Sequence, residues 1–83
     1  MQSRRDRIEI IRSILELCKR EGAVKTKIVQ RANLNSNTIK PYLAYLVEGG
    51  YLETLDGQRA VYRTTKRGEE TLEMLREIDV SML

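Results

Sequence analysis

Apolar residues recur at helical spacing from near the start of the chain. Ile8, Ile11, Leu15 and Cys18 form one stripe that Ile10 and Ile14 widen, which predicts an amphipathic helix from about Ser3 to Arg20. Ser3 stands where an N-cap belongs, with Asp6 at capping-box spacing, and Gly22 is the stop signal. A short second helix is predicted from a cap at Thr26 to Ala32, with Ile28 and Ala32 turned inward. Asn33, Asn35 and Ser36 then make a polar turn around an apolar plug, Leu34, and Ser36 or Asn37 caps a third helix that runs to Glu48. On that helix Ile39, Leu43, Leu46 and Val47 share one side. Asn37, Pro41, Ala44 and Glu48 lie opposite, flanked by Lys40, Thr38 and Tyr45, while Tyr42 sits at the apolar edge with its hydroxyl toward water.

The pattern changes after Gly49-Gly50. Alternation over Tyr51–Leu55 predicts a strand, Asp56-Gly57 suits a type I′ turn, and Ala60–Thr64 predicts the returning strand. Thr65 then caps a last helix carrying Leu72, Leu75, Ile78 and Met82. The expected order is helix, helix, helix, strand, strand, helix. No internal repeat, low-complexity run or linker divides residues 1–83, so they are read as one domain.

Composition narrows the chemistry. The 83 residues are 33% charged and 41% hydrophobic, which argues against disorder, and no apolar run approaches the ~20 residues of a membrane span. With no histidine and one cysteine, zinc sites of the Cys/His type and His-dependent nucleophile pairs are excluded. No phosphate-binding glycine loop is present either. The chain is therefore read as a non-enzyme without cofactor or metal. Cys18 is expected to be a small core residue, and a lone thiol with no apolar leader suits the cytoplasm.

Charge is unevenly placed around a net +3. Residues 25–45 carry Lys25, Lys27, Arg31 and Lys40 and no acid, and residues 54–67 carry Arg59, Arg63, Lys66 and Arg67 against Asp56 alone. From 68 onward Glu69, Glu70, Glu73, Glu77 and Asp79 face only Arg76. A basic middle and an acidic end point one side of the molecule at a polyanion.

A short helix, a tight polar turn and a longer helix make the helix-turn-helix layout. From about Ile8 to Leu75 the chain resembles small archaeal winged helix-turn-helix regulators and chromatin-associated proteins. Thr26, Ala32-Asn33-Leu34, Tyr42-Leu43, Leu46, Gly50-Tyr51-Leu52, Tyr62, Thr65 and Gly68 carry the resemblance. It implies an α+β, mainly α fold, with a three-helix core, a two-stranded hairpin wing and a C-terminal helix. It also implies sequence-specific double-stranded DNA binding as a transcriptional regulator, located with the nucleoid. In that family the third helix enters the major groove, the wing touches the backbone or minor groove, and the last helix pairs two subunits.

Carried onto this chain, Asn37, Thr38, Lys40, Pro41 and Ala44 face bases, where Asn suits adenine and Lys suits guanine. Pro41, read as the fourth or fifth helical residue, adds little base discrimination because its ring has no donor. Lys25, Lys27, Arg31, Ser36 and Tyr45 hold phosphates; Gly57, Arg59, Arg63 and Lys66 serve the wing; Arg4, Arg5 and Arg7 add a backbone contact. Leu75, Ile78 and Met82 form the seam of a homodimer, the alternative being that Leu72 and Leu75 pack on the first helix of the same chain. Thr64 replaces a leucine common in the family, which predicts looser packing under the wing. Two other uses of the fold fit the residues: a non-specific architectural DNA protein, and a winged helix that docks on another protein.

Overall fold

The computed structural model describes residues 3–32, 34–55 and 61–81, and side chains between 7 and 77 within them. Its elements are α1 (Ser3–Leu17), β1 (Ala23–Val24), α2 (Lys25–Ala32), α3 (Ser36–Glu48), β2 (Leu52–Leu55), β3 (Val61–Thr64) and α4 (Lys66–Ser81). Each helix sends apolar residues into one core, although Ile8, the first residue of the predicted α1 stripe, is 38% exposed because it lies before the part of α1 that packs on the core. Ile14, Leu15 and Cys18 come from α1 and its end, Ile28 from α2, Ile39, Leu43 and Leu46 from α3, and Leu72 from α4. Ala23 and Leu52 close it from the sheet. Leu34 packs against the core as the predicted plug, and Tyr42 is half-buried at its edge. Among the described residues no helix is long and apolar enough to cross a membrane.

The sheet has three antiparallel strands in the order β1-β3-β2, one more than the expected hairpin. β1 is two residues long, pairing Ala23 with Tyr62 and Val24 with Val61. Strand alternation needs more residues than that to show in sequence. Across β2 and β3, Leu52 pairs with Thr64 at the core, exposed Thr54 pairs with Tyr62, and Glu53 pairs with Arg63 on the alternate face. The Asp56-Gly57 turn, with Gly57 and Arg59, lies outside the described residues, as does the predicted strand start at Ala60.

Several predicted ends move. α1 stops at Leu17 rather than Arg20, and Arg20 itself takes a left-handed φ of 67°. The caps expected from Ser3 and Asp6 fall on side chains outside those described. α2 starts at Lys25, so Thr26 is an exposed residue of its first turn and not its cap. The cap of α3 is Asn35, earlier than either expected residue, and its side chain accepts the Thr38 amide at 2.8 Å. Counted from Ser36, Pro41 is then the sixth helical residue, and its ring nitrogen has no hydrogen to give the Asn37 carbonyl.

Thr64 overturns the expectation of loose packing. It is 5% exposed and binds the end of α1 twice. Its hydroxyl donates to the Leu15 carbonyl at 2.7 Å, and its amide donates to the Cys18 carbonyl at 3.0 Å. The Leu15 carbonyl belongs to the last turn of α1 and the Cys18 carbonyl follows directly after it, where no further helical amide comes to satisfy them. A leucine would fill the space but leave the Leu15 carbonyl buried without the hydroxyl.

Two predictions follow from this packing. Thr64→Val keeps the shape and removes the donor, so urea denaturation should show a loss of about 1–3 kcal/mol, the usual result of orphaning a buried polar group. Burial pushes the Cys18 thiol up from 9.0 to about 11. The unfolded thiol ionises first, so this contribution to stability is intact below pH 9.0 and is lost as pH climbs toward 11. Across that window the denaturation midpoint of the wild type should fall more steeply than that of Cys18→Ala.

Candidate nucleic-acid interface

Burial of Ile39, Leu43 and Leu46 fixes the rotation of α3 about its axis. At 3.6 residues per turn the opposite face then carries Asn37, Pro41, Ala44 and Glu48, and all four are exposed. Thr38, Lys40 and Tyr45 are exposed on the flanks, with Tyr45 at 59%. Lys40 and Tyr45 leave the middle of the face on opposite sides, each by about 70°. From Ser36 to Tyr45 the face contains no carboxylate. It is polar, cationic and narrow at Ala44.

The ends of α3 are held firmly. Asn35 caps the first turn. At the far end the Tyr51 amide donates to the Leu46 carbonyl at 2.8 Å and the Gly50 amide to the Val47 carbonyl at 3.1 Å, a Schellman pair. The left-handed φ of Gly50, 82°, completes that turn at no steric cost. Tyr51 then docks on α4. A Cβ on Gly68 would stand 2.2 Å from the Tyr51 carbonyl oxygen, so only glycine allows this approach. Thr65 caps α4 as predicted, accepting the Gly68 amide at 3.1 Å, while its hydroxyl donates to the Gly50 carbonyl at 2.6 Å. The Tyr45 and Tyr51 rings stack with centroids 6.3 Å apart, and the Arg67 guanidinium lies 5.0 Å from the Tyr51 centroid. Neither the stack nor Arg67 over Tyr51 was expected, because Tyr45 lies on α3 and Tyr51 in the turn before β2, and no periodicity joins them.

The other expected residues divide by location. Lys25 is half-buried, whereas Lys27 and Ser36 are exposed. Arg31 is exposed on the α1 side of α2, lining a groove with Ser13, Glu16, Leu17, Lys19 and Arg20. Arg63 is not a free wing cation: its Nε and Nη2 donate to Glu53 Oε2 at 3.1 and 2.9 Å, across the strand pair. Lys66 is exposed in the first turn of α4. Arg76 is likewise committed, bonded to Glu16 with Glu73 nearby. Among the described residues Lys25, Lys27, Lys40 and Lys66 have no carboxylate partner, so their charge is available to an outside anion.

The expected seam is described only in part. Leu72 enters the core of its own chain, while Leu75 is half-buried and outside the core cluster. Ile78 lies in the backbone of α4 with its side chain outside those described, and Met82 is outside the described residues.

The winged helix-turn-helix family model matches residues 4–82. An uncharacterized protein of Methanocaldococcus jannaschii is 39% identical over 75 residues, covering 90% of this chain and 34% of the other. The chain thus spans about a third of the length of that curated relative. Among solved structures, Sso10a-2, a DNA-binding protein from Sulfolobus solfataricus, superposes with a TM-score of 0.81 at 26% identity. That match covers 90% of this chain and 79% of the other. A MarR family transcriptional regulator from Silicibacter pomeroyi shares the fold at a TM-score of 0.70 and 10% identity, covering 92% of this chain and 54% of the other.

The cap is testable here. Asn35→Ala should lower stability by about 1 kcal/mol in a thermal or urea melt, the usual loss at an N-cap. An unchanged midpoint would show that Asn35 does not set the start of α3.

Proposed function

Because the chain belongs to the winged helix-turn-helix family, we propose that it binds double-stranded DNA and acts as a sequence-specific transcriptional regulator at the nucleoid. The observation that carries this reading is the exposed face of α3, free of carboxylates from Ser36 to Tyr45 and backed by lysines that have no carboxylate partner among the described residues. A major groove about 12 Å wide admits a helix, and small Ala44 lets the backbone come close. Asn37, Thr38 and Lys40 meet base edges, with Asn suited to adenine and Lys to guanine. Lys25, Lys27, Ser36 and Tyr45 hold phosphates and set the register. Pro41 contributes shape alone.

The wing side of the reading uses Lys66, with Gly57 and Arg59 carried over from the family resemblance. Arg63 drops out because Glu53 already holds it. Similarity to Sso10a-2, itself a DNA-binding protein, supports the partner class. A homodimer through Leu75, Ile78 and Met82 completes the proposal: Leu75 stays outside the core of its own chain and can face a second copy.

A duplex titration over a salt series tests this. Log affinity should fall linearly with log salt, by about 0.9 for each phosphate neutralised. Lys40→Ala should relax sequence preference, whereas Lys27→Ala should weaken all duplexes about equally. No duplex binding at low salt would reject the reading. Equal losses on every sequence for both variants would show that α3 does not read bases.

A further inference from the structure

The Tyr45 flank of α3 faces a groove of about 510 Å³ lined by Arg7, Ile11, Pro41, Tyr42 and Tyr45. Arg7 is exposed at the N-terminal half of α1, on the helix face that further along buries Ile14 and Cys18. Beyond Tyr45 the surface continues as an aromatic ladder through Tyr51 to Arg67, with exposed Lys66 alongside. An arginine therefore stands at each end of a tyrosine strip.

The way Arg67 is held matters. A cation–π contact holds the Arg67 guanidinium 5.0 Å from the Tyr51 centroid through the ring's π-system, without a hydrogen-bond acceptor for its N–H donors. Those donors are the ones that grip a phosphate bidentately. Arg63 and Arg76 have given theirs to Glu53 and Glu16, but among the described residues neither Arg7 nor Arg67 has a carboxylate partner. Stacking also restricts Tyr45 and Arg67 before any ligand arrives, so less side-chain entropy is lost on binding. The chemistry that fits is a run of phosphates joined by an apolar linker: the sugar–phosphate backbone of one DNA strand.

We propose that Arg7, Tyr45 and Arg67 form a second phosphate track, on the side of α3 away from Lys40, which fixes the roll of α3 in the groove. This rests on the DNA-binding reading and adds residues to it. Arg7 and Arg67 bind phosphate through their N–H donors, the Tyr45 hydroxyl donates to a phosphate oxygen, and Ile11 and Tyr42 pack against sugar.

The experiment uses the full chain and fluorescence anisotropy with random and selected duplexes over a salt series. The double variant Arg7→Gln/Arg67→Gln should lower the magnitude of the log–log slope by about 1.8, two phosphates at 0.9 each, with similar losses on all sequences. The charge-matched control Lys19→Gln/Arg20→Gln, in the groove between α1 and α2, should leave the slope unchanged. Arg67→Lys keeps the charge and should retain most of the slope, which separates charge loss from a folding defect. An unchanged slope in the double variant overturns the track, and so does an equal drop in the control. If the wild type binds no duplex, both the DNA-binding reading and the track fail; if it binds with a slope that the double variant shares, only the track fails.

Discussion

Burial of Ile39, Leu43 and Leu46 sets the rotation of α3, and the use of every other residue on that helix depends on it. A rotation of one residue, about 100°, would carry Asn37 and Ala44 toward the core and bring apolar side chains to the surface. Burying three aliphatic side chains is worth several kcal/mol, at about 1.5–3 kcal/mol each, which far exceeds any preference among the exposed polar residues. The polar face is thus a consequence of the core.

Rotation alone does not place the face relative to its surroundings. Two joints do so, and both connect sheet-region backbone to helix ends. Thr64 ties β3 to the carbonyls that α1 leaves open. Tyr51, closely packed against Gly68 and bonded at its carbonyl by the Thr65 amide at 3.0 Å, ties the end of α3 to the start of α4. Through these joints the cations of α1 and α4 are held on fixed sides of α3. The ion pairs at Arg63 and Arg76 are about 43–45% exposed on both partners and contribute little to stability. Their effect is to remove two arginines from the set that can meet an outside anion.

Much of this is legible in the sequence because it is periodic. Helical spacing identifies Ile11, Ile14, Leu15 and Cys18 of the first helix, Ile39, Leu43 and Leu46 of α3 and Leu72 of α4 as inward, but it also points Ile8 inward, which is exposed. Thr65 is legible as a cap because a short polar side chain precedes a helical run. What periodicity misses is interaction across elements. β1 is too short to alternate, and Thr64 looks like a defect until the open end of α1 is placed beside it. Asn35 wins the cap over Ser36 because its side chain reaches the Thr38 amide, a matter of geometry rather than residue type. The Tyr45–Tyr51–Arg67 ladder joins α3, the turn before β2 and α4, and the pairing of Arg63 with Glu53 depends on strand register. Charge counting places Arg31 and Lys40 in one basic stretch and Arg63 in a second, whereas the fold sends the three to different surroundings.

The central claim is that the exposed face of α3 is the surface that meets DNA. Backbone amide chemical shifts recorded during titration with a duplex test it most directly. The largest changes should fall at Asn37, Thr38, Lys40 and Ala44, with smaller ones at Lys27 and around Tyr45. Changes concentrated on the acidic face of α4, with the α3 amides unmoved, would contradict it.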